Sequence, residues 1–346
     1  MVDINSRLDK IVQNAVGTSG PGAILGVAAP LHDITWHGAA GLFKRSENQA
    51  LKPTDGFRIA SMSKTFTAVL VMMLVEERKL NLSDNLTRFF DKTFVSNIHP
   101  EGLSITLHHL LNHTAGLWDF ALSKEWMEEI TKDPSRFRAP QEILEWATSH
   151  GEPECKLGEK HVYSDTGYVL LGRILEIVTG TSYAELCRTR IFDPLEMNET
   201  WLEGHEDPSC SLSHCYAGDI DAMQINGSLD WAAGGHVSTL VDLDKFLRGF
   251  FHTPTLVRPQ TIDQMLVPVT TPSHQYGFGI GIRREQAPAK PETTQSFWGH
   301  SGHWGSFMFY VPALRATIAG TVNRADQNNR WIFESVLDVI RSREKK

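Results

Sequence analysis

Cysteine is scarce, and none of it is paired in sequence. Cys155, Cys187, Cys210 and Cys215 are the whole complement of a 346-residue chain. That excludes a disulfide scaffold, and no CxxC spacing suggests a zinc or redox site. They read as reduced structural thiols of a cytoplasmic protein. Long apolar runs are also missing: Ala68–Val75 is the longest, far short of the roughly 20 residues needed to span a bilayer. The first ten residues alternate charged and apolar side chains and contain no signal-peptide h-region. Basic clusters are absent too. Asp plus Glu outnumber Lys plus Arg by 41 to 33, so neither nucleic acid nor an anionic membrane is an expected partner. There is no GxGxxG or GxxxxGK[ST] to hold a nucleotide, and no GxSxG elbow of an α/β-hydrolase.

What is present is an ordinary globular composition, 41% hydrophobic and 21% charged, in a chain long enough for one large or two moderate domains. Ile4, Leu8, Ile11, Val12 and Ala15 recur at helical spacing, and strand-like segments follow at Ala23–Ala29 and Ile34–Leu42. Thr65–Lys79 is apolar on almost every face, which predicts a buried central helix. Helices are expected at Ile105–Asn112, at Gln141–His150 after Pro140, and at Thr166–Thr179 with Asp165 as N-cap. Another should run from Thr239 to about Phe251. The last third turns to strands, at Tyr276–Ile282, Ser296–Gly299, Ser306–Val311 and Ala316–Asn323, before a final helix at Asn329–Arg341. Strands at both ends around helical segments predict an α+β fold whose antiparallel sheet is built from both chain ends.

The sharpest chemical feature is Ser61-Met62-Ser63-Lys64. Residues three apart share a helix face, so the hydroxyl and the amine can meet. Burial and the first-turn dipole both disfavour an ammonium there, which would let Lys64 serve as a base. The same spacing at Ser342–Lys345 lies in a polar tail and shows that SxxK alone is weak. His109 and His113 are four apart without an intervening Glu, so a metal site is not expected.

Two further segments accompany the first: Tyr163-Ser164-Asp165 just ahead of a helix, and His300-Ser301-Gly302-His303 between two strands. Ser-x-x-Lys, Tyr-x-Asp and His-x-Gly in this order resemble the serine β-lactamase and DD-peptidase superfamily. Tyr in the second element and His in the third is similar to the branch of class C β-lactamases, D-Ala-D-Ala carboxypeptidases and D-aminopeptidases. The segments Leu110–Leu117 and Ala232–Thr239 extend the likeness over most of the chain.

The resemblance implies a β-lactamase/transpeptidase-like fold: a sheet domain of residues 1–79 and 156–346 with a mainly helical domain at 80–155. It implies Ser61 as the acylated nucleophile, Lys64 and Tyr163 sharing proton transfer, and His300 lining the cleft. The backbone amides of Ser61 and His303 would hold the oxyanion. Asp165 stands where Asn is commoner, and a carboxylate beside Lys64 would raise its pKa and favour Tyr163 as base. Trp118, Asp119, Phe120, Trp231, Ser301, Gly302 and Trp304 fall in segments that border the cleft, with Asp119 able to bind a substrate ammonium or to cap its loop. No cofactor is implied.

The function expected is hydrolysis of amide or peptide bonds in a small molecule or short peptide, with a D-amino acid on the acyl side. An esterase or acyltransferase is the alternative, a β-lactamase comes third, and a non-catalytic binding protein last. His300 in place of lysine predicts little fixed charge for a β-lactam carboxylate, and so a preference for neutral or cationic substrates. The sequence fixes no oligomeric state.

Overall fold

The computed structural model describes residues 3–17, 21–270, 275–287, 290–325 and 329–343. Its centre is an antiparallel sheet of eight strands: β1 Gly22–Ala29, β2 Ile34–Gly41, β3 Val269–Thr270, β4 Gln275–Tyr276, β5 Gly281–Ala287, β6 Lys290–Ser301, β7 Phe307–Val311 and β8 Ala316–Thr321. Their order is β2-β1-β8-β7-β6-β5-β4-β3. The two ends of the chain therefore meet in the middle of the sheet, with Leu25 opposite Gly320 and Val27 opposite Ile318.

Alternation along the strands feeds two cores. Leu25, Val27, Phe307, Phe309 and Ile318 face a layer formed by helix α1 (Ile4–Val16) and the C-terminal helix Arg330–Arg341. Ile24, Met308, Tyr310 and Ala319 face the larger core around helix α2 (Ser63–Glu76). Twelve residues of α2, Ser63 to Leu74, are buried, as its uniform apolarity requires. Each fully buried aliphatic side chain there contributes about 1.5–3 kcal/mol.

The order of elements follows the sequence expectation, with local corrections. Ser61 does not open α2. It sits in a tight turn, Ala60–Met62, just before it, and the strand ahead is only Phe57–Arg58. Ser164, not Asp165, stands at the N-cap of helix α3 (Asp165–Thr179), leaving Asp165 as a first-turn residue. The expected helix at 105–112 is only Leu107–Leu111, begun by Thr106 with His109 in a reciprocal cap. The helix after Thr239 is regular to Leu247 and then widens into a π-turn over Arg248–His252.

Tyr276–Ile282 is not one strand. The Gly277 amide closes on the Ile280 carbonyl at 2.8 Å, and Gly279 adopts φ +65° with its α-carbon against α2. A Cβ there would lie 2.7 Å from the Lys64 carbonyl, so the glycines serve a turn pressed onto the helix. In the second SxxK, Ser342 caps the C-terminal helix, while Lys345 lies outside the described residues.

Candidate active site

The site forms where α2, α3 and β6 converge. Ala60 precedes the serine with φ +49°, a left-handed conformation costly for a residue with a Cβ. It turns the Ser61 side chain into a cavity of about 940 Å3. Lys64, one turn later in α2, has no exposed surface. Its Nζ lies 3.1 Å from Ser61 Oγ, 2.8 Å from the Ala233 carbonyl and 2.6 Å from Asp165 Oδ1.

Three oxygens around one nitrogen suit an ammonium with three protons. Burial works against that charge, but Asp165 and, after it, Tyr163 together hold the Lys64 pKa above the ordinary lysine value. The expectation of a neutral lysine drawn from burial and dipole alone is corrected here.

Tyr163 comes from the segment just ahead of α3. Its ring lies beneath the Lys64 ammonium, 4.8 Å from Nζ to the ring centre. Its hydroxyl is buried beside Ser61 and Lys64 yet, among the described residues, makes no hydrogen bond of normal geometry. Burial pushes the phenol up to about 12, and the Lys64 charge pulls the other way. The backbone around Tyr163 is stitched to the Trp118 carbonyl, which accepts from Ser164 Oγ at 3.0 Å and Thr166 Oγ1 at 2.7 Å.

His300 lies on β6 across the cavity. Its Nδ1 is 2.7 Å from the Ser301 carbonyl, which can only accept, so this nitrogen carries the proton. Nε2 then accepts from the Tyr276 hydroxyl at 2.9 Å. The turn after it approaches the segment leading into Ser61 closely. Ser306 Oγ donates to the Ile59 carbonyl at 2.9 Å, and a Cβ on Gly302 would sit 2.2 Å from that same carbonyl. Only glycine permits this approach, which brings His303 and Ser61 to one cavity wall.

Asp119, Asp165, Ser301, His303 and Trp304 also line the cavity. Asp119 caps its loop as expected, its Oδ1 accepting from the Ala121 and Asp165 amides at 3.2 Å each, and it also lines the cavity. Burial, with Asp165 beside it, pushes its carboxyl up to about 7. Three aromatics are placed differently from expectation. Phe120 is buried edge-on against Trp126, Trp231 is buried against Tyr183, and Trp118 packs over Gly151. Their rings anchor loops to neighbouring helices, and the cavity wall combines aliphatic side chains, Ala121, Leu122, Met127, Ile130, Ile225 and Leu229, with other aromatics, Trp304, Phe297 and Phe309. Gly302 acts through backbone approach.

Several lining residues carry no local sequence signal. Arg58 is buried and clamps Glu203 at 2.6 and 2.7 Å. Asp230, from a distant segment, is pushed up to about 7 by burial and then by Asp165. Arg283, which donates to Ser301 Oγ at 3.2 Å, and Arg330 put fixed positive charge in the cavity. The expectation of a cleft poor in cations is thereby corrected.

His109, of the pair four apart in sequence, caps Thr106, while His113 packs on Tyr163. Among the described residues, no group of three or more His, Cys, Asp or Glu side chains could hold a metal ion. Among the same residues, no helix is long and apolar enough to cross a membrane.

A family model described as Beta-lactamase matches residues 8–338. Penicillin-binding protein 4* of Bacillus subtilis (strain 168) is 35% identical over 184 residues, 50% of this chain and 36% of that protein. The chain spans between 36% and 64% of the length of the curated relatives it matches. Among solved structures, a D-stereospecific amidohydrolase from Streptomyces sp. superposes with a TM-score of 0.83 at 25% identity, covering 96% of this chain and 98% of its own. The D-amino acid amidase from Ochrobactrum anthropi SV3 complexed with D-phenylalanine gives 0.84 at 25% identity, covering 99% of both chains.

Proposed function

Because this chain belongs to the β-lactamase family, we propose that Ser61 is the nucleophile of a serine hydrolase that opens amide bonds through an acyl-enzyme. One observation carries the reading. Ser61 Oγ opens on the cavity 3.1 Å from a buried lysine ammonium, beside a phenol whose oxygen, among the described residues, makes no hydrogen bond of normal geometry.

Lys64 already donates to Ser61, so the serine proton must leave by another route. Tyr163, in the phenolate form that burial disfavours and the Lys64 charge partly restores, takes that proton as Oγ attacks the carbonyl carbon. The Ser61 and His303 amides receive the oxyanion. Collapse breaks the amide bond, and Tyr163 returns the proton to the leaving amine. Water then repeats the sequence on the acyl-enzyme, with Tyr163 as base, and frees Ser61.

The cavity suits a short peptide or amino-acid amide. Asp119 offers a carboxylate for an acyl-side ammonium, the aliphatic wall accepts an apolar side chain, and Arg283 offers a guanidinium to a leaving-group carboxylate. The similar enzyme from Ochrobactrum anthropi SV3 is a D-amino acid amidase, seen in complex with L-phenylalanine as well as D-phenylalanine, and its kind supports a D-amino acid on the acyl side.

The test is Ser61→Ala, which should abolish both turnover and fluorophosphonate labelling while leaving the melting temperature unchanged. Wild-type protein that forms no adduct by mass spectrometry would instead identify a non-catalytic binding protein. Comparing kcat/KM for D-phenylalanine amide, its p-nitrophenyl ester and nitrocefin then assigns the class. We expect the amide to exceed nitrocefin. A nitrocefin value near the diffusional ceiling of about 10⁸ M⁻¹s⁻¹ would make the protein a β-lactamase.

A further inference from the structure

One histidine grips Tyr163 from three directions. His113 lies 50 positions earlier in the chain, nearly fully buried, just past the short helix Leu107–Leu111. Its carbonyl accepts the Val162 amide at 2.8 Å, and its Nδ1 accepts the Ser164 amide at 3.2 Å. The residues on either side of Tyr163 are thus both tied to one residue. Its ring also packs on the Tyr163 ring, with centroids 4.3 Å apart and planes at 34°. The same histidine ring also meets Tyr168 at 5.1 Å and Tyr276 at 4.9 Å. Tyr276 in turn donates to His300.

These contacts need an unusual backbone. His113 adopts φ +59°, a conformation that costs a non-glycine residue about 1–3 kcal/mol and persists only where surrounding contacts impose it. In this conformation its carbonyl and ring both face the 162–164 segment. Ser164 is a donor, so Nδ1 must be a lone-pair acceptor and the proton of a neutral ring sits on Nε2.

We propose that His113 is a positioning residue for Tyr163, setting the direction of the phenol toward Ser61 and Lys64. It touches neither Ser61 nor the bond being broken, and works only through the tyrosine. The inference rests on the reading of Tyr163 as the proton carrier. A side chain held only by its own rotamer would leave the phenol free to swing, and a misplacement of about 1 Å at such a group costs about 10²-fold in rate.

The experiment is a double-mutant cycle read on D-phenylalanine amide and on fluorophosphonate labelling. His113→Asn tolerates the left-handed backbone and removes the ring. It should lower kcat by about 10²-fold and leave KM within about twofold, because substrate binding is not its task. Added to Tyr163→Phe, it should cost nothing further in kcat, since residues that act as a unit do not add.

His113→Phe keeps the ring and its volume but removes the Ser164 acceptor. It should lose kcat by about tenfold, the equivalent of about 1.4 kcal/mol, and it remains informative where the Asn variant does not fold. Wild-type kcat in both variants, or losses that multiply with Tyr163→Phe, overturns the proposal. Full activity in Tyr163→Phe itself defeats the prior reading of the base, a separate result.

Discussion

Asp119 and Lys64 show how one buried environment moves two groups in the same direction. Burial disfavours charge on each, yet Lys64 has a carboxylate partner and keeps its proton, while Asp119 faces another carboxylate and holds its own proton up to about pH 7. A substrate ammonium is attracted only by the ionised form. With D-phenylalanine amide, kcat/KM should therefore rise as pH passes through 7. That inflection should vanish in Asp119→Asn and be absent for an N-acylated substrate, leaving only the gradual rise from ionisation of the Tyr163 base. A pH profile for the three cases checks it.

The stability sign is opposite to that of a salt-bridged acid. The folded pKa lies above the unfolded one, so the native state binds the extra proton, and stability falls as pH rises between about 4 and 7. Asp119→Asn should melt higher than wild type at pH 8 and no higher at pH 4. At this scale the closeness of Ser61 and Lys64 was legible because one helical turn is local geometry, whereas Tyr163 was reached only through the resemblance of its segment to a known family. It was silent on Asp230, Arg283 and Tyr276, which distant segments deliver to the cavity. Residue type was no guide to orientation either, as the buried rings of Phe120 and Trp231 demonstrate.

Elements were legible where their ends carry chemistry. Thr239 caps its helix through the Asp242 amide, Pro140 opens another, and Gly180 ends α3 in the left-handed conformation. They were misread where a tertiary contact overrode the pattern. The glycine-rich run after Tyr276 alternates like a strand, but it is pinned as a turn on α2.

The junction between the Ile59–Ser61 segment and the 302–306 turn shows the same dependence in the active site. Gly302→Ala must push that turn off the Ile59 carbonyl, carrying the His303 amide away from Ser61. Overpacking of this kind costs about 1–3 kcal/mol. The loss of an oxyanion donor slows acylation by about 10²–10³-fold. Melting curves and the rate of fluorophosphonate labelling measure the two effects separately. Ser306→Ala, which removes the hydroxyl bond to Ile59 without any clash, should slow labelling less.

On the scale of the molecule, the sheet order joins parts of the chain that are far apart in sequence. β1 is held on one side by β2, its sequence neighbour, and on the other only by β8, nearly three hundred residues later. The placement of strands at both chain ends was readable from their alternation. The pairing of β1 with β8 rather than with any other strand was not, because register is a property of two segments and not of either alone.

That pairing has a consequence for the protein while it is being made. Ser61, Lys64 and Tyr163 leave the ribosome well before the strands that carry His300 and hold its turn, and β1 waits longest for its partner. Chains stalled at increasing lengths should therefore stay inert to fluorophosphonate until β8 has emerged, then react at once. Labelling from chains that end before residue 300 would show that the reactive serine matures without the sheet. Otherwise the fold itself acts as a timer, keeping the Ser61 hydroxyl chemically silent until β8 has been made.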